Sequence, residues 1–229
     1  MSNYAAADTK AQWFQDDWPG ATVRPNVVVL HTTEGYSWPT YDGGSKAPNY
    51  TAQPNIAAKR LEWRAHFPDE RSSRALQNLS GGVETNTLNA SQVELVGTCD
   101  PRYAKRWGGR TAGVDYIYWP DAPYWCLRDL AAFLADMHKR HGLVLEGPEF
   151  LPYPASYGAS AVRFTFSQWR EFYGVCGHQH VPENDHGDPG DLDAPKLLRI
   201  ARRKAGLNDP VWTPGPNTEP RHHRGVKPA

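Results

Sequence analysis

Between Cys176 and Gly190 the chain reads CGHQHVPENDHGDPG, which places His178, His180, His186 and Asp188 in one short run. Imidazole and carboxylate are ligands that zinc takes in tetrahedral sets, and a catalytic zinc site uses three protein ligands with the fourth position left for water. A chain that leaves a strand at His178, turns through Val181 and Pro182 and returns at Asp188 can bring both side chains to one ion. Gly187 and Gly190 ease the tight backbone there, and Pro189 stiffens it. The third ligand must come from elsewhere. His180 and Cys176 stand two residues either side of His178 and are rival ligands. A loop histidine, however, is ordinarily solvated or bonded to backbone, and a free cysteine is ordinarily a small core residue.

Elements that could position such a set are readable along the chain. VVVLHTTEG opens with four apolar residues, Val27 to Leu30, a pattern expected of a strand buried on both faces and ended by His31. His31 supplies the missing ligand if that strand lies beside the one leading into His178. In SQVELVG, residues 91–97, Val93 and Leu95 share one face of a strand while Gln92, Glu94 and Val96 share the other. From Asp121 onward Pro123, then Leu127, Leu130, Leu134 and Met137 at helical spacing, and a terminating Gly142 predict a helix. Shorter helices are expected over Ser167 to Tyr173 and from Asp193, with Pro195 in the first turn, to Gly206. The Pro- and Gly-rich stretch 35–55 reads as an extended surface loop able to wall a groove. Residues 207–229, dense in proline, read as a tail or linker after a single domain over 1–206.

Composition narrows the function. The 229 residues suffice for one sizeable core, and the net charge of zero supplies no global positive field for a phosphate backbone, so nucleic acid is not an expected partner. No run is long and apolar enough to span a bilayer, and the N-terminus lacks a signal-peptide pattern, so synthesis in the cytoplasm without membrane insertion is expected. Three cysteines make no disulfide framework.

Taken together and in order, VVVLHTTEG, GGVETN with SQVELVG, YPASYG and CGHQHVPENDHGDPGDLD resemble the zinc-dependent N-acetylmuramoyl-L-alanine amidases of the type-2 amidase and peptidoglycan-recognition superfamily, most closely the amidase domains of actinobacteriophage endolysins. The resemblance spans roughly Val27 to Asp193. It implies an α/β fold with a central mixed β-sheet flanked by helices, Zn2+ held by His31, His178 and Asp188, and Glu94 as the base and acid of amide hydrolysis. His186 falls where several relatives carry lysine, and an imidazole there is expected to help stabilise the oxyanion. His180 falls where many relatives carry an aspartate, which assigns it a supporting hydrogen bond. Tyr50 lies near the segment in which some relatives have a catalytic tyrosine, and His66 resembles a groove-lining, substrate-binding histidine. The other histidines, His138, His141, His222 and His223, read as structural or solvated.

The resemblance further implies a monomeric enzyme with peptidoglycan as its partner, made in the host cytoplasm and acting at the cell wall after release through a separate membrane-permeabilising protein. Two other readings stand beside it: a peptidoglycan-binding recognition protein without turnover, whose members typically lack one metal ligand, and a zinc amidohydrolase acting on a small amide.

Overall fold

The computed structural model describes residues 2–208; the expected tail, from 209 on, lies outside them. Its centre is a six-stranded mixed sheet of order β1-β4-β3-β5-β2-β8, with β1 Ala7–Asp8, β2 Val27–Thr32, β3 Tyr50–Asn55, β4 Arg60–Ala65, β5 Ala90–Leu95 and β8 Gly174–Gly177. Within this sheet only the β3–β4 pair is antiparallel; β1 runs parallel to β4, β2 to both β5 and β8, and β3 to β5. A separate small hairpin, β6 Arg106–Trp107 and β7 Arg110–Thr111, stands apart from the sheet. The α/β class and the mixed central sheet are therefore as the sequence led us to expect.

Alternation along the strands divides the molecule. Val28, Leu30, Val93, Leu95, Tyr50 and Ala52 point to the face covered by α1 (Tyr124–His141) and α3 (Ala194–Ala205). Leu127, Leu130, Leu134 and Met137 of α1 are all buried there, the stripe that the helical spacing predicts, and Gly142 closes the helix in the left-handed conformation with φ of 74°. On α3, the Asp193 carboxylate accepts from the backbone N–H of Lys196 and caps the first turn. Burying a leucine of this kind stabilises by about 1.5–3 kcal/mol, so the helical face carries much of the fold's stability. The opposite face packs Val27, Val29, Ala90 and Cys176 against Trp169 of the helix Phe166–Glu171 and against Leu76, Val83 and Val181 from outside the sheet. It is this second face that carries His31 and Glu94.

Two expectations about elements are corrected. The stretch 35–55 is not surface loop throughout: Tyr50–Asn55 is β3, with Tyr50, Thr51 and Ala52 buried between β4 and β5. Its polar and proline content misled because Pro54 falls beyond the part paired on both sides, where a missing N–H is tolerated. The helix expected over Ser167 to Tyr173 is α2, Phe166–Glu171, started one residue earlier by a capping box between Thr165 and Gln168 and ended before Phe172 turns extended.

Candidate metal centre

The side chains that matter lie at the C-terminal ends of the parallel strands, the usual place for a site in sheets of this kind. Across the sheet Thr51, Glu94 and His31 are register partners on β3, β5 and β2, so one row of side chains leads from the β3 edge to the histidine. Strand β8 pairs with β2 up to Leu30 opposite Gly177, and the chain then bends into a 3-10 turn that starts at His178. A Cβ at Gly177 would lie 2.6 Å from Pro189 Cδ and 2.8 Å from Phe150 Cε1, so the bare glycine is what lets the Asp188 segment fold back onto the turn. Two backbone-directed bonds hold the return: Gln179 N–H donates to Asp188 O at 3.0 Å, and Thr32 N–H donates to Asp188 Oδ2 at 3.0 Å.

His31 Nδ1 lies 3.0 Å from His178 Nδ1 and 3.7 Å from Asp188 Oδ2, while His178 Nδ1 lies 3.2 Å from Asp188 Oδ1. All three residues are buried. The tautomer of His178 follows from its neighbour: the Asn184 amide nitrogen donates to Pro182 O and Gln77 O, and Asn184 Oδ1 accepts from Gln77 N–H, so His178 Nε2, 3.1 Å from Asn184 Oδ1, must carry the hydrogen. With Nε2 committed to Asn184, the ring presents Nδ1 toward His31 and Asp188. Burial first, and next the neighbouring His178, hold His31 well below the usual histidine range. Burial pushes Asp188 up, but the His178 and His186 imidazoles outweigh it and hold the carboxyl well below the usual carboxylate range. Two imidazoles and a carboxylate thus bring one potential ligand atom each to a common buried point. This buried His-His-Asp group could hold a metal ion.

Around it the remaining candidates take distinct places. Glu94 is partly buried, its Oε2 is enclosed with no hydrogen-bond partner, and burial together with the charges of Asp188 and Glu34 raises its pKa well above the usual carboxylate range. His186 lies at the rim with its side chain 68 % exposed, its ring stacked on His178 at 4.7 Å and Nδ1 3.6 Å from Asp188 Oδ1; the bond to Asp188 raises its pKa. His180 is buried with Nε2 2.9 Å from Glu149 O and Nδ1 accepting from Gly177 N–H at 3.0 Å, a loop-bracing place rather than a ligand's. Cys176 is a buried core residue on the second face, not part of the cluster.

His66 is fully buried, so it does not line a groove directly; its Nε2 meets Thr51 Oγ1 at 2.8 Å and its Nδ1 meets Gln12 O at 2.8 Å. Tyr50 is turned into the helical face, donating to Asp69 Oδ1 at 2.6 Å, far from the part a site tyrosine would play. The tyrosine that does approach the row is Tyr41, whose hydroxyl lies 2.5 Å from Thr51 Oγ1.

Sequence reasoning missed several supporting residues. Arg163 donates to Gly158 O, Val181 O and His186 O at 2.8, 2.8 and 3.0 Å, fastening the loop that carries His186. Asn184 fixes the His178 tautomer, and its place inside the His/Asp run was its only visible signal. Glu34, in the left-handed region with φ of 46°, accepts from Thr32 Oγ1 at 2.7 Å, Thr98 Oγ1 at 2.5 Å and Cys99 N–H at 2.9 Å. Beside Asp188 and His186 opens a pocket of about 350 Å³ walled by Glu34, Arg102, Tyr103, Trp107, Tyr153 and Tyr157.

No protein-family profile matches the chain, and no curated protein matches its sequence.

Proposed function

We propose that this chain is a zinc-dependent amidase that hydrolyses the bond between N-acetylmuramic acid and L-alanine in peptidoglycan, on the type-2 amidase fold that its motifs resemble. The observation that carries the reading is the meeting of His31, His178 and Asp188, 147 residues apart in the first pair, with their ligand atoms within 4.8 Å of one another. The full ligand set favours an enzyme over a recognition protein. Zinc in such a set supplies Lewis acidity, polarising a carbonyl and making water acidic enough to attack near neutral pH.

The chain's own groups account for the rest of an amide hydrolysis. Glu94, rigid within β5 and next to His31 in register, takes the proton of the attacking water and returns it to the departing nitrogen. Its raised pKa suits that exchange, because a carboxyl of ordinary acidity holds a proton too weakly to deliver it at neutral pH. His186, its pKa raised by Asp188, stands at the rim where it can donate to the developing oxyanion. The aromatic pocket beside Asp188, with Tyr157 53 % exposed, offers ring faces to an extended sugar–peptide chain.

Two measurements test this. Metal analysis of purified protein is expected to give about one zinc per chain, lost in His178→Ala. Incubation with purified cell wall is expected to release L-alanine amino groups without new reducing sugar ends. Reducing ends instead of amino groups would mean a glycosidase, and neither product would remove the amidase reading.

A further inference from the structure

His66, Thr51 and Tyr41 form a line of hydrogen bonds that ends beside Glu94, and its direction is determined by a backbone carbonyl. Gln12 O can only accept, so His66 Nδ1, 2.8 Å away, carries the ring hydrogen. Burial lowers the His66 pKa to about 4, so the ring is neutral and Nε2 has only a lone pair. Thr51 Oγ1, at 2.8 Å, must donate its single hydrogen to that nitrogen. Tyr41, at 2.5 Å from the same oxygen, must in turn donate its own. With its hydrogen spent, the Tyr41 oxygen can act toward any further partner only as an acceptor.

The place of that oxygen matters because Thr51 is the register neighbour of Glu94 and Glu94 of His31. Neighbouring strands lie about 4.8 Å apart, so the Thr51 that Tyr41 meets stands one strand from Glu94 and two from His31. The assembly is packed by rings: Tyr41 and His66 meet edge-on at 5.1 Å, and Phe14 stacks on His66 at 5.6 Å. Glu94 Oε2, across the row, is the enclosed atom without a partner.

We propose that Tyr41 contacts the substrate, its oxygen held as a pure acceptor by the Gln12–His66–Thr51 relay, and that it receives the N–H of the scissile amide. The proposal rests on the amidase reading. As water adds to the carbonyl carbon, the nitrogen loses its conjugation and becomes pyramidal. An acceptor gripping its N–H stops it from rotating and turns the new lone pair toward the proton that Glu94 has taken from the water. The C–N bond then breaks as that proton moves to nitrogen, and the amine leaves neutral. His66, on this account, is a positioning residue that acts through Thr51, not a wall of the groove.

The direction of the relay can be read without turnover. Long-range 1H–15N correlation spectra of 15N-histidine-labelled, zinc-loaded protein at pH 7 are expected to show His66 neutral and protonated at Nδ1. Protonation at Nε2, or a charged ring, overturns the proposal. Tyr41→Phe is expected to keep that tautomer and the bound zinc while kcat on purified cell wall falls about ten- to a hundredfold with KM little changed, the loss of one transition-state hydrogen bond. Thr51→Val, which cuts the relay but leaves the phenol, is expected to cost a similar factor. Tyr41→Phe turning over at the wild-type rate overturns the proposal while the amidase reading stands. A wild type that releases no L-alanine amino groups overturns the reading and with it the part given to Tyr41, whereas the spectra still decide the direction of the relay.

Discussion

Replacing Glu94 by glutamine separates what this carboxyl does for chemistry from what it does to the fold. In the native chain its pKa is raised well above 4.5 by burial first and by the charges of Asp188 and Glu34 next. A group whose folded pKa exceeds its unfolded value contributes stability below the unfolded pKa and loses it as pH rises toward the folded one. Glu94 therefore weakens the fold progressively above about pH 4.5, and glutamine, which does not titrate, is free of this effect. From pH 4.5 to pH 7 the largest difference possible is 2.5 pH units, or about 3 kcal/mol at about 1.36 kcal/mol per unit. A buried glutamine amide has its own desolvation cost, but that cost is the same at every pH and cancels from the slope. Urea denaturation of metal-free wild type and Glu94→Gln at pH 4, 5.5 and 7 is expected to show the variant gaining relative to wild type as pH rises, by up to about 3 kcal/mol. Added zinc should shrink that gain, because a nearby cation favours the ionised carboxylate. Turnover should be lost with zinc retained. A stability difference that does not change between pH 4 and 7 would refute the burial argument, and retained turnover would refute the role of Glu94 as base.

Three further outcomes follow from other parts of the structure. Asn184→Ala removes the acceptor that orients His178, and competition with a chelator should show zinc affinity lower by about 10–100-fold; unchanged affinity would mean that the tautomer is set by something else. Gly147→Ala would put a Cβ 2.1 Å from Val175 O, so β8 must shift, and thermal unfolding should show a loss of about 2 kcal/mol or more together with weaker zinc binding. Buried His180 has its pKa lowered to about 4 from 6.5, so as pH falls through that window the unfolded chain takes up a proton that the folded one refuses, and up to about 3 kcal/mol is lost. In His180→Gln this share of the acid slope in denaturation should vanish, and an unaltered slope would contradict it.

The ligand row was legible because its parts obey short-range rules. An apolar run ending in His31 and a Gly-His turn after Cys176 each announce a strand exit, and only the parallel pairing of β2 with β8 was needed to join them. Strand alternation placed Glu94 on one face of β5, where it is the register neighbour of His31, whereas its chemical part was read from the resemblance. Strand β3 was not, since Thr51, Gln53 and Pro54 have no apolar period and are ordered by neighbours on either side rather than by their own propensity. His66 was singled out but expected to line a groove, and Tyr41 was missed, for a related reason: their positions depend on Gln12 and Thr51, contacts across the fold that no local spacing encodes. The fastening of the His186 loop by Arg163 is equally non-local.

The pairing of β2 with β8 has a consequence for how the protein is made. Its first contact joins residue 27 to residue 174, so the ion's seat comes into being only when most of the chain has been synthesised and the slow, long loop has closed. Nascent fragments that stop before β8 contain His31 but neither His178 nor Asp188. An ion bound at this seat would therefore act as a clock for completion of the fold, and stopped-flow metal capture during refolding should keep step with the last phase of β-sheet assembly, not run ahead of it.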